Sequence, residues 1–218
     1  MLELLCHGMD EQLCVHVRPC LESAARSLNL AADFDSFEII ADDFHESEEA
    51  WLRMVSSGDG ADKCMKGMLF CSENAFCTVR RATSTVFPRT QVWDQSPAPD
   101  QQVPFDSSRF SQKQADKFIH HELMLAQDLV RGDVVPADIG SDRVEAFSAT
   151  WAVVIDGRLS RRALPGFSLT ERRARFSRLF ACAGVLLPGH WNIFQSLWDG
   201  GVNNSSEVLA SIRLLPRL

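Results

Sequence analysis

The segment from Ser111 to Gly132 constrains this chain more than any other. Ser111 followed three residues on by Gln114 is a capping-box pattern, in which side chains take up the orphan N–H groups that open a helix. Ile119, Leu123, Ala126 and Val130 then recur at i, i+4, i+7 and i+11, which draws one apolar stripe. Gly132 stands where a left-handed C-cap wants a residue without Cβ. A helix defined at both ends and apolar along one face needs a partner surface, and the flanking sequence has to supply it.

Upstream, residues 1–45 read as strand, helix, strand. Leu2 to Cys6 is a short apolar run, and Leu13, Val17, Leu21, Ala24 and Leu28 fall at helical spacing. Pro19 is expected near the start of that helix or at a break in it, because it lacks an N–H. Phe37–Ala41 is β-like. Glu46 to Val55 reads as a short helix ended by the turn at 56–60. In 67–92, two apolar, β-branched stretches flank Ser72–Asn74, as in a hairpin or two edge strands. Residues 94–109, with three prolines, read as a loop.

Downstream, a second helix starts near Asp142 with Val144, Phe147, Trp151, Val154 and Ile155 on its apolar face. Its stretch Trp151 to Ile155 also suits a strand. Further helices are expected at roughly 169–183, 190–198 and 205–214, separated by Pro188–Gly189 and Gly200–Gly201. The fold class is thus α+β, one domain over 1–218, with a mixed-sheet lobe at 1–110 and a helical lobe at 111–218. With 45% hydrophobic and 23% charged residues, the chain can bury a core.

A net charge of −7 argues against nucleic acid or an anionic membrane as the main partner. No apolar run approaches the ~18 residues of a membrane helix. The N-terminus lacks the pattern of a secretory signal, so a cytoplasmic location is expected. The seven cysteines include no CxxC, which reads as free thiols in a reducing compartment; a disulfide between neighbours such as Cys71 and Cys77 is the alternative. The absence of tyrosine removes one common acid from any catalytic scheme.

The chemistry-bearing run is HHELMLAQD, His120 to Asp128. His121-Glu122 opens a His-Glu-x-x-His pattern, in which two histidines one turn apart bind zinc and the Glu acts as general base. The fifth position holds Leu125, which cannot ligate a metal. Further on, Val144-Glu145-Ala146-Phe147-Ser148 places a glutamate 24 residues after His121. Together, His121-Glu122-Leu123, Ala126, Gly132 and Glu145 resemble the active-site helix pair of the zincin metallopeptidases, most like the thermolysin-like gluzincins. The resemblance is anchored on 111–150.

It implies a zincin-like fold with 37–92 as a mixed sheet, its edge strand bordering a substrate cleft. It also implies zinc held by His121 and Glu145, with Glu122 as the catalytic base. A third ligand would have to come from His45, His16 or His190. The function so implied is a zinc-dependent, metallopeptidase-like protein acting on a peptide or protein, weakened or silenced by Leu125. The alternative is a non-catalytic, protein-binding module on the same scaffold. Oligomeric state is not legible.

Blander readings stand beside these. Asp142 and Glu145 form a D-x-x-E capping pattern that explains Glu145 without metal. Leu125 can be plain core. His7 and His16, near Cys6 and Cys14, read as local packing. Arg172, Arg173, Arg175 and Arg178 read as a solvated helix face with Glu171. Trp191, Phe194, Leu197 and Trp198 read as a core-packing stripe.

Overall fold

The structure, a computed structural model, describes residues 2–41, 50–57, 64–78, 107–181 and 184–215. Among them are four strands and six α-helices: β1 (Glu3–His7), α1 (Glu11–Ser27), β2 (Ser36–Ala41), β3 (Ala50–Ser57), β4 (Cys64–Cys71), α2 (Gln112–Arg131), α3 (Val144–Arg161), α4 (Leu169–Phe180), α5 (Pro188–Asp199) and α6 (Ser205–Arg213). The α+β class, with a mixed sheet ahead of a helical half, is as expected from the sequence.

The sheet runs β1-β2-β4-β3. β1, β2 and β4 are parallel, and β3 is antiparallel to β4 along the edge. The side-chain period of two sorts the residues into faces. Phe37, Ile39, Leu69 and Cys71 are fully buried, against α1 and α2. On the other face Trp51 stacks on its cross-strand partner Phe70 with ring centroids 3.8 Å apart, and Arg53 and Lys66 are exposed.

Two expectations are corrected, and one alternative is decided. The segment 50–57 is strand β3 rather than a helix; pairing with β4 from Ala50↔Cys71 to Ser57↔Cys64 decides it, a contact remote in sequence. Residues 46–49 and 58–60 of that reading lie outside the described residues, as do 79–92 of the hairpin and 94–106 of the loop. α1 runs through Pro19 unbroken. The carbonyl that Pro19 leaves without an N–H partner belongs to Val15, which is 70% exposed, so water can serve it. The stretch Trp151–Ile155 continues the expected helix within α3, and the strand alternative falls away. α3 is apolar almost all round and buried accordingly, with α2, α4, α5 and α6 packed about it.

The signals at the ends of α2 are used as written. The Ser111 hydroxyl accepts from the Gln114 N–H at 3.3 Å, and Gly132 takes φ +80° as the C-cap. The described part of the chain contains no helix long and apolar enough to cross a membrane.

Candidate functional site

α2 carries the histidine pair into the middle of the molecule. His120 and His121 point to different neighbours, as residues ~100° apart on a helix must. The His120 ring lies 2.7 Å from the Asp116 carbonyl through Nδ1 and 3.1 Å from the Ser27 hydroxyl through Nε2, tying α2 to α1. His121 faces α3 and α4.

The His121 Nδ1 is 3.2 Å from Oδ1 of Asp156 on α3 and 3.3 Å from the Arg172 guanidinium on α4. Asp156 is wholly buried and also accepts from the Phe167 N–H at 3.0 Å and from Arg172 Nε. The Arg172 guanidinium lies 4.2 Å over the Phe167 ring, and the His121 ring meets that ring edge-on. Phe167 therefore closes the cluster with its backbone and its π face. Nδ1 of His121 serves one partner at a time: protonated it donates to Asp156, and unprotonated it accepts from Arg172.

Glu122 sits beside this network, 9% exposed. Burial raises its pKa, against the pull of His121 and Arg172; the nearby Asp156 raises it further. Asp156 shows the opposite outcome. Burial pushes it up, but His121 and Arg172 outweigh burial and hold it below the ordinary carboxylate range. The Cys71 thiol at the end of β4 is pushed up by burial and by the charge of Glu122. At the rim, Glu171 caps α4 through Ser168 and pairs with Lys117 at 2.8 Å. Burial alone would raise its pKa, but Lys117 and Ser168 bring it down to about 2.

The expected zinc ligands are not brought together. Glu145 is exposed in the first turn of α3, while His121 contacts α3 at Asp156. Eleven residues of helix separate Glu145 from Asp156, a rise of ~16 Å. The capping pattern read from Asp142 to Glu145 is also not used, since Arg143 is the N-cap and makes no side-chain bond. Leu125, expected in the place of the second histidine, is partly buried and packs on the core. Nor does a third ligand arrive: His16 stacks on Phe110, His190 accepts from the Leu187 N–H in the first turn of α5, and His45 lies outside the described residues. Among the described residues, no three His, Cys, Asp or Glu side chains converge to hold a metal ion. The donor set of the described residues therefore does not fit zinc.

Two members of the cluster were missed by sequence reasoning. Arg172 was read with the solvated arginines, yet it is 4% exposed. Its signal was its place between Leu169 and Phe176, on the buried stripe of α4. The signal of Asp156 was a lone acid closing the run Trp151–Ile155. Arg173, by contrast, lies outside the core with its guanidinium over the rings of Trp191 and Phe194. Within the aromatic stripe of α5, Phe194 and Leu197 are buried, as expected of core packing.

A groove of about 350 Å³ lies along β1 and the second half of α1, lined by Leu2, Leu4, Ala25 and Arg26 among others, and shares no residue with this cluster. No family model, curated protein or solved structure matches the chain.

Proposed function

We propose that this chain is a non-catalytic, protein-binding module of zincin-like architecture. One observation carries the reading: a buried ionic network, Asp156–Arg172, engages His121 at Nδ1, while the carboxylate that would share a metal with it stands on the far part of α3. With Nδ1 engaged, only Nε2 of His121 is left for a cation, and among the described residues no three His, Cys, Asp or Glu side chains converge to hold one. The scaffold is supported by the mixed sheet with its antiparallel edge strand β3, followed by the helix bearing His121 and Glu122. In this reading Glu122 is a relic of the general base, and its buried carboxyl has no reacting group to serve.

The partner is an extended polypeptide added to the outer edge of β3. There one backbone edge has no strand partner among the described residues, and Trp51, 42% exposed and stacked on Phe70, offers an aromatic anchor. Metal content after dialysis, cleavage of a mixed peptide library with and without zinc, and selection of peptides from a display library test the reading together. The expected result is no retained zinc, no cleavage in wild type or Glu122→Gln, and selected peptides whose binding is lost in Trp51→Glu. One tightly held zinc per chain, with cleavage abolished by Glu122→Gln, would establish the metallopeptidase instead. Selected peptides indifferent to Trp51→Glu would move the binding surface away from β3.

A further inference from the structure

Cys6 and Cys14 are far from the His121 network in function and adjacent to each other in space. β1 ends at His7, Gly8 turns the chain at φ +70°, and Asp10 caps α1 through the Gln12 N–H. This short return lays the first turn of α1 over the end of β1. Cys14 Sγ is directed at the Cys6 carbonyl oxygen, 3.8 Å away, so the two cysteines are neighbours across the turn. Both residues are partly exposed.

The other described thiols are placed differently. Cys20 and Cys77 are buried and directed at the carbonyls of His16 and Glu73. Cys71 is fully buried. Cys64 stands at the opposite end of β4, where Asp35 pushes its thiol up. The alternative pair Cys71 and Cys77 is reduced.

We propose that Cys6 and Cys14 are an oxidative modification site, joined by peroxide into a disulfide that staples the end of β1 to the first turn of α1. Cys14 is the thiol that reacts first. Burial, with the charges of Asp10 and Glu73, raises its pKa; the neighbouring Cys6 and the charge of Arg18, one helical turn on, offset that only in part, so the thiol stays above its ordinary value. Cys6 is pushed up to about 11 by burial and by Cys14. The first turn of a helix also favours a thiolate.

The Cys14 thiolate attacks one peroxide oxygen, the O–O bond breaks, and hydroxide leaves to take up the proton that the thiol released. The product is a sulfenic acid at Cys14. Cys6 sulfur then attacks Cys14 sulfur, the S–O bond breaks, and the hydroxyl departs as water with the Cys6 proton. Two thiols are oxidised to one disulfide, and one peroxide is reduced to two waters.

The test uses the full chain under native conditions with hydrogen peroxide. Digestion on the amino side of Asp10 separates Cys6 from Cys14, so a peptide pair that stays joined without reductant, lighter by two hydrogens, reports the bond. The expected pattern is a joined pair in wild type. In Cys6→Ser a sulfenic acid should persist at Cys14 and be trapped by dimedone, and in Cys14→Ser Cys6 should remain unmodified. Cys14 should also oxidise at least tenfold faster than Cys64, the comparison thiol. Three results would overturn the proposal: dimedone-trapped Cys14 without linkage in wild type, linkage of Cys14 to another cysteine, or equal oxidation of Cys14 and Cys64. Wild type alone supplies all three readouts, so misfolding of a variant does not blur the outcome.

Discussion

Replacing Asp156 or Arg172 by leucine isolates the energetics of the buried network. Asp156 is wholly buried and Arg172 is 4% exposed, so either single change leaves an ion without its partner in the interior. Breaking a buried pair from one side costs about 3–5 kcal/mol. The two sides are not equal. Asp156→Leu leaves the Arg172 cation stranded and also orphans the Phe167 N–H, which adds about 1–3 kcal/mol. Arg172→Leu leaves Asp156 with the Phe167 N–H and with His121, which can donate through Nδ1. Asp156→Leu is therefore the more damaging change. The double variant removes both charges, and its cost should fall below the sum of the singles by at least ~2 kcal/mol.

Urea unfolding of the four proteins, followed by circular dichroism with the m-values compared, measures this. Additivity within ~0.5 kcal/mol would refute the pairing. The pH dependence gives a second reading. Asp156 is depressed in the folded chain, so its contribution is present above its unfolded pKa of ~3.9 and lost as pH falls through the lower folded value. In Asp156→Leu that part of the acid limb should flatten.

Glu122 has the opposite sign: its pKa is raised in the folded chain, so the contribution is present below ~4.3 and lost as pH rises through the folded value. Glu122→Gln should then raise the melting temperature at pH 7 and leave it nearly unchanged at pH 4; a lower melting temperature at pH 7 would mean the ionised carboxylate is held by favourable bonds. Leu125→His should give no gain in retained zinc, measured after dialysis, because Glu145 stays ~16 Å along α3 from the level of His121; a gain would revive the metal centre. Gly157→Ala should destabilise by about 1–3 kcal/mol, read as a fall of ~2–12 °C in melting temperature, because a Cβ there overlaps the Trp198 carbonyl oxygen of α5. An unchanged melting temperature would show that α5 yields easily.

Local chemistry made several elements readable in the chain itself. Ser111, the stripe of Ile119, Leu123, Ala126 and Val130, and Gly132 specify α2 from start to end, because capping and helical period act within a few residues. Phe37–Ala41 and the helices after residue 168 were legible for the same reason. β3 was not, since its strand character comes from register with β4 and its own residues lack a decisive period. Pro19 shows the same limit: whether a helix tolerates proline depends on which side of it meets water.

The site divides along the same line. The sequence by itself determined that His121 and Glu122 lie side by side on a helix, and that the helix beginning near Glu145 follows it. Only the tertiary structure decided which part of that helix meets His121, and the answer is Asp156 rather than Glu145. Spacing along a chain counts residues, whereas contact between helices depends on where their axes cross and which stripe each one buries. Arg172, sequestered on the buried stripe of α4, needed a charge to face, and the crossing that delivers Asp156 to it decides what surrounds His121.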